Sequence, residues 1–315
     1  EEEIRKTHGS AIRNKQYYFQ EGLTFSGVNS KRFSVRYLPE GYIFDSGGSF
    51  IHVKNNEDIL YFLGLLNSKF INYILRLFNP TINFKNGDIH RLPYIKPNDE
   101  QRAIIINCVS NIIKLKKEIN ENNELDNNFT LPAILRNKKG TISESIIEFI
   151  NKCDRNLIEI ENNKDIIDKT VFDIYALSED VIKDIKDVCG NFLKDNDKKI
   201  DFKSLDKRLS DGINITEISE DLDYNILEIQ KYKQDNLIDK FINSENIAND
   251  LISYYIGCLF GRWENSSIGS VDDGILPIGS SIYGENDLVE KVYNCIQVSY
   301  DENADSIFEE IEMLL

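Results

Sequence analysis

The chain has 315 residues, 41% of them hydrophobic and 29% charged, a composition that excludes a disordered chain. Its formal net charge of −16 argues against a nucleic-acid binder taken whole. The charge is unevenly spread, however: residues 1–100 carry 13 Lys and Arg against 11 Asp and Glu, a net of +2, and the other 215 residues carry a net of −18. The front of the chain also holds all three histidines and, before residue 96, 16 of the 33 aromatic residues. This asymmetry predicts a near-neutral recognition module followed by an acidic body.

In chain order, residues 17–54 read as strands and turns. FSVRY (33–37) alternates apolar and polar residues, Pro39-Glu40-Gly41 makes a turn, and YIF (42–44) resumes before a break at Ser46-Gly47-Gly48. SFIHV (49–53) follows as a third strand. Asn55-Asn56 then caps a helix with Glu57 and Asp58 in its first turn, where the dipole favours acids. Apolar residues at 59, 62, 63, 66, 70, 74 and 77 keep helical spacing to Phe78, and Pro80 forbids continuation. Thr81 to Phe84 reads as a short strand, Asn86-Gly87 as a turn, and Leu92-Pro93 and Lys96-Pro97 as an extended close.

Beyond Pro97 the pattern is helical. An amphipathic helix over 99–126, a loop over 127–140 and a second helix from Thr141 to about Leu177 predict an antiparallel pair, a rigid spacer rather than a globular core. Further helices are expected over 179–194 and 202–245, around a Lys- and Asp-rich break at 195–201. An apolar helix over 247–262, a Gly/Ser-rich stretch over 264–285 and a closing helix over 286–298 complete the chain. The expected fold class is α+β: a mixed α/β module over 1–98, a long helical spacer over 99–178 and a mostly helical, acidic region over 179–315.

Cysteines at 108, 153, 189, 258 and 295 form no CxxC pair and have no His nearby, so no metal site and no disulfide framework is expected. The best candidate for a membrane span, 59–78, is interrupted by Asn67, Ser68, Lys69, Asn72 and Arg76, and the start EEEIRK does not read as a signal peptide. The expectation is a cytoplasmic protein with reduced thiols and no membrane partner.

Four motifs bear on chemistry. Asn79-Pro80 resembles the start of the Asn-Pro-Pro-aromatic loop with which enzymes methylate base amino groups, but Thr81 and Ile82 stand where the second proline and the stacking ring belong. A helix stop is the better reading. Asp45, Ser49 and His52 are the types of a hydrolytic triad, yet a strand through them points them to alternating faces. ITEISEDLDYNILEIQKY (215–232) has the apolar spacing of a helix-turn-helix, but Asp223 holds the turn where Gly is usual and the second helix carries Glu228 with Lys231 as the sole base, so helical packing is expected. In GCLFGRW (257–263), Gly257 and Gly261 predict close helix packing, with Arg262 or Trp263 as an interface anchor in the other reading. The remaining signal is basic: Lys31, Arg32, Arg36, Lys54, Lys85, His90 and Arg91 lie among Tyr17, Tyr18, Phe33, Tyr37 and Phe84, a mixture suited to phosphate and base contacts, or to a solvated surface over a ring-filled core. With Tyr37 and Asn83, these seven form the candidate DNA-binding set. No catalytic or metal residue is assigned.

The run FSVRYLPEGYIFDSGGSF, followed by YFLGLLNSKFINYILRLFNPTINFKNGDIHRLPYI, resembles the C-terminal target-recognition region of adenine-specific DNA methyltransferases. These are the PglX-like enzymes of BREX phage defence and the type IIG restriction–modification enzymes. LGLLNSKFINYIL is similar to a helix of TaqI-like specificity domains, DKTVFDIYALSED to the helix end after their spacer, and LISYYIGCLFGRW with DDGILPI to the segment that follows. The resemblance implies a specificity part whose double-stranded DNA partner is read by the front module. It implies, too, a methyltransferase domain in the same polypeptide that uses S-adenosylmethionine, with no cofactor bound by this chain, which is then an excised fragment. A protein-interaction module remains the alternative, its acidic helices docking on a basic partner subunit or imitating DNA.

Overall fold

Leu23 and Phe25 alternate with Thr24 and Ser26, and this period of two builds the centre of a three-stranded antiparallel sheet. A computed structural model of the chain describes residues 14–29, 32–45, 47–189, 201–211, 215–222, 229, 232–233, 244–263, 268 and 287–314. They fall into two units, Glu1–Ile113 with Ile160–Asn191 and Lys114–Glu159 with Phe192–Leu315. Lys31, residues 190–200, Asp223, Glu228, Lys231 and, Ile268 apart, the stretch 264–285 with its DDGILPI segment lie outside the described residues.

In the first unit β1 (Gly22–Ser26) lies between β2 (Val35–Leu38) and β3 (Gly48–Ile51). Leu23 faces Tyr37 and Ile51, while Phe25 faces Val35 and Ser49. The central strand had no individual signal in the sequence, whereas YIF (42–44), expected as a strand, is not one. Three consecutive apolar residues offer no alternation to present to a core. Tyr42 and Ile43 are exposed, and Phe44 stacks on Phe50 with ring centroids 4.7 Å apart.

The helix expected over 59–78 is two helices, α1 (Ile59–Asn67) and α2 (Lys69–Phe78). They are divided at Ser68, whose extended backbone (φ −64°, ψ 155°) lets its hydroxyl accept from the Ile71 amide and start the second helix. Asn67 closes the free edge of the sheet: its carboxamide accepts from the Val35 amide at 3.0 Å and donates to the Val35 carbonyl at 2.9 Å. Lys69 reaches Asp165 at 3.2 Å and Asp168 at 3.3 Å, and its backbone amide donates to Asp168 at 2.7 Å. The stop at Phe78 falls where Pro80 predicted it. Asn86-Gly87 opens a short helix, α3 (Asn86–His90), instead of making a hairpin turn, because Asp88 accepts from the Lys85 amide and caps the turn.

Two long helices follow, α4 (Asp99–Asn120) and α6 (Ile142–Ile174), with the one-turn α5 (Ala133–Arg136) inside the segment expected to be loop. Ala176 ends α6 in the left-handed region (φ 47°), and the Leu177 amide turns back to the Phe172 carbonyl. The helices read as a spacer also bury Ile105, Val109, Val171 and Phe172 in the same core as Leu23, Phe25 and Ile71. Gly64 makes this approach possible, since a Cβ there would stand 2.6 Å from Ile105 Cγ2. Ile185, on α7 (Glu179–Cys189), completes that core.

Among its described residues the second unit holds helices joined by turns and loops, and no strand. Leu205 and Leu209 of α8 (Phe202–Ser210), Ile215 and Ile218 of α9 (Ile215–Leu222), and Ile229 form one small core, so the described apolar positions of the helix-turn-helix look-alike are used in packing. A larger core joins Ile134 and Ile142 to α10 (Ser244–Leu259), α11 (Leu288–Tyr300) and α12 (Ala304–Leu314), the last of which was not expected. Trp263 lies flat over Gly257, where a Cβ would come within 2.1 Å of the indole, and packs on Tyr254 and Phe129. Glu310 of α12 accepts from the Ile142 and Ser143 amides, each at 2.9 Å, and so caps α6. The fold is α+β, mostly helical around one small sheet.

Candidate functional site

Asn79 organises the segment that follows α2. Its Nδ2 donates to the Asn83 carbonyl at 2.6 Å and to Asp88 Oδ2 at 3.0 Å. Its Oδ1 accepts from the Thr81 amide at 3.1 Å and the Thr81 hydroxyl at 2.7 Å. This Asx turn makes Asn79-Pro80 a helix stop and a loop organiser together. The loop is then fastened to the end of β1: Phe84 donates to the Gly27 carbonyl at 2.8 Å, Asn29 to the Ile82 carbonyl at 2.9 Å, and Val28 and Asn83 form a β-bridge.

Between loop and strand end lies a cleft of about 730 Å³, lined by Ser26, Gly27, Asn79, Asn83, Lys85 and Asp88 among others. Hydrogen bonding from Asn79, with support from the Lys85 amide and the Arg91 and Lys85 charges, holds the Asp88 carboxyl below the usual carboxylate range. Arg36 of β2 donates to the Ser26 hydroxyl at 2.7 Å, which brings its guanidinium to the cleft wall. Arg91, one residue past α3, lies over the Phe78 ring at 4.4 Å.

Of the nine residues singled out, Asn83 and Lys85 line the cleft, Arg36 bonds to Ser26 of its wall, and the Arg91 charge acts on its Asp88. The others stand apart. Arg32 is exposed ahead of β2, near enough to the Cys189 thiol to oppose the upward push that burial gives it. Tyr37 is on the opposite sheet face from Arg36, as period two requires, and donates to Glu21; burial and that carboxylate push its hydroxyl up to about 12. Lys54 is exposed beyond β3 and His90 at the end of α3. Lys31 is outside the described residues.

The sequence reading missed Ser26, Gly27, Asn79, Thr81 and Asp88 as site residues because it looked for positive charge. The signal that could have found two of them, Asn79 and Thr81, is the Asn-x-Thr-x-Asn spacing of 79–83, in which each short polar side chain can serve the backbone two residues on. The triad types are separated: Asp45 accepts from the Gly47 and Gly48 amides at 2.8 and 2.9 Å, Ser49 pairs with Phe25, and His52 lies against Tyr17 at 4.9 Å. Among the described residues no cluster of His, Cys, Asp and Glu could hold a metal ion, and no helix is long and apolar enough to cross a membrane.

No protein-family model matches the chain. It is homologous to curated adenine-specific methyltransferases. It is 28% identical to the adenine-specific methyltransferase BrxX of Escherichia coli O9:H4 (strain HS) over 95% of this chain and 24% of the relative. Its identity to the adenine-specific methyltransferase PglX of Lacticaseibacillus casei (strain Zhang) is 25%, over 58% of this chain and 17% of the relative. The chain therefore spans about a quarter or less of the length of the relatives it matches.

Proposed function

We propose that this chain is the DNA-reading segment of an adenine-specific methyltransferase of a restriction–modification or phage-defence system. The methyl transfer itself, and the S-adenosylmethionine it consumes, belong in this reading to a separate domain of the same polypeptide. The observation that supports the reading is a polar cleft lined by Lys85, with Arg36 bonded to Ser26 of its wall and the Arg91 charge acting on its Asp88, in the sheet-bearing unit of a chain with that homology. Arginine and lysine at the rim suit phosphates, and a polar cleft between them suits the edge of a base pair in the major groove. The acidic remainder, with its net charge of −18, is repelled by a duplex and leaves the front module as the contacting surface. The helices over 99–178 act as the spacer that sets the module's distance from the catalytic domain.

Fluorescence anisotropy of the 315-residue chain on duplex DNA across a salt series tests this. Binding should weaken steeply with salt, and Arg36→Ala and Lys85→Ala should each reduce the salt slope by about one. Absence of duplex binding at low salt, with tight capture of a basic partner protein, refutes it. That outcome would support the interaction reading, which the charge of the acidic region favours.

A further inference from the structure

Asn83 combines a rigid backbone with an uncommitted side chain. Its amide donates to the Thr81 hydroxyl at 3.2 Å, and its carbonyl accepts from Asn79 Nδ2 at 2.6 Å and from the Thr81 hydroxyl at 3.4 Å. The bridge to Val28 holds the same backbone from the strand side. All of these are main-chain bonds. The carboxamide bonds to no described residue, and Asn83 is among the residues that line the cleft, so it has one donor and one acceptor side by side to offer there.

The surroundings define what can meet it. The Asp88 carboxylate among the lining residues repels a phosphate, so phosphates are left to the exposed cations Lys85 and Arg36 and the space beside Asp88 suits an uncharged base edge. Val28 and Ile82, 62% and 51% exposed, are joined to the same loop by the bridge and the Asn29–Ile82 bond. They present bare aliphatic surface beside a polar amide. Adenine shows an acceptor (N7) beside a donor (N6) in the major groove, the complement of a carboxamide, and its partner thymine shows a methyl group. Guanine shows two acceptors and lacks that match.

We infer that Asn83 is a specificity-determining residue that reads an adenine through N6 and N7, with Val28 and Ile82 against the methyl of the paired thymine. This rests on the proposed DNA-reading function and gives it a chemical object, one A·T pair.

The test is selection by the 315-residue chain from a randomised duplex pool, followed by competition binding. The wild-type chain should enrich a motif with an A·T pair at which Asn83→Ala loses about tenfold in preference, while preferences elsewhere in the motif persist. Replacing that adenine by 7-deazaadenine should weaken wild-type binding to a similar degree and leave Asn83→Ala unaffected. Asn83→Asp, which can only accept, should move the preference toward cytosine, whose N4 donates. Unchanged circular-dichroism melting of both variants confirms that the loop, to which Asn83 contributes only main-chain atoms, is intact. A selected motif that Asn83→Ala leaves unaltered at every position overturns this inference and spares the DNA-reading function. A wild-type chain that binds no duplex overturns both.

Discussion

Replacing Asn67 by alanine should loosen the strand that carries Arg36. The Asn67 carboxamide behaves as an extra peptide unit on the outer edge of β2, exchanging two hydrogen bonds with Val35 and making a third to the Leu63 carbonyl at 2.8 Å. Val35 is 5% exposed, so its amide and carbonyl find water poorly once the carboxamide is gone. Each lost bond to Val35 is worth about 1 kcal/mol net. Loss of the bond to Leu63 is offset by the better helix propensity of alanine, roughly 0.5 kcal/mol. Because Asn67 itself is in contact with solvent, the sum stays near 2 kcal/mol rather than the higher cost of a fully buried orphan pair. Asn67→Asp keeps the acceptor but turns a carboxylate oxygen toward the Val35 carbonyl, and should be at least as damaging at neutral pH. Residue-resolved amide exchange is the assay, since it reports the Val35 N–H itself. A drop of about 2 kcal/mol corresponds to roughly thirtyfold faster exchange at that amide where local opening governs it. Val35 exchange that is the same in wild type and Asn67→Ala would refute the reasoning.

Two further predictions concern other parts of the chain. The folded Asp88 carboxyl lies below its ordinary value, so its ionised form stabilises the loop above the unfolded pKa, about 3.9, and that contribution is lost as pH falls through the folded value. Protection of the Lys85 amide should therefore be level through neutral pH and fall on acidification below about pH 4, whereas Asp88→Asn should show no such step. Gly257→Ala should expel the Trp263 indole from its place between Tyr254 and Phe129 at a cost of about 1–3 kcal/mol. Trp263 is the chain's one tryptophan, so a red shift of intrinsic emission reads this directly, and an unshifted spectrum contradicts the packing.

The parts of the fold written in periodic patterns were legible. The helix stop at Phe78, the long helix beginning near Thr141 and the two outer strands, Val35–Leu38 and Gly48–Ile51, follow from proline geometry, 3.6-residue spacing and alternation. What was hidden depends on partners distant in sequence. Asn67, Ser68 and Lys69 read as interruptions of an apolar run; in the structure they close a sheet edge, start a helix and pair with Asp165 and Asp168. The site was half legible for the same reason. Basic residues announce themselves by type, and of these Lys85 lines the cleft while Arg36 bonds to Ser26 in its wall. The cleft itself is shaped by Asn79, Thr81 and Asp88, whose roles appear only once the loop has folded back on β1.

The Glu310 cap has a kinetic implication. The carboxylate that finishes the first turn of α6 is supplied from 168 positions later in the chain, and Tyr254, Tyr255, Cys295 and Ile307 share a core with Ile142. During synthesis that turn must wait, its amides bonded to water, until Glu310 has left the ribosome. Closure over so long a separation is entropically expensive and slow. The second unit should accordingly be the late folder, vulnerable to proteases and to chaperone capture for longer than a helical segment of its size would be if its contacts were local.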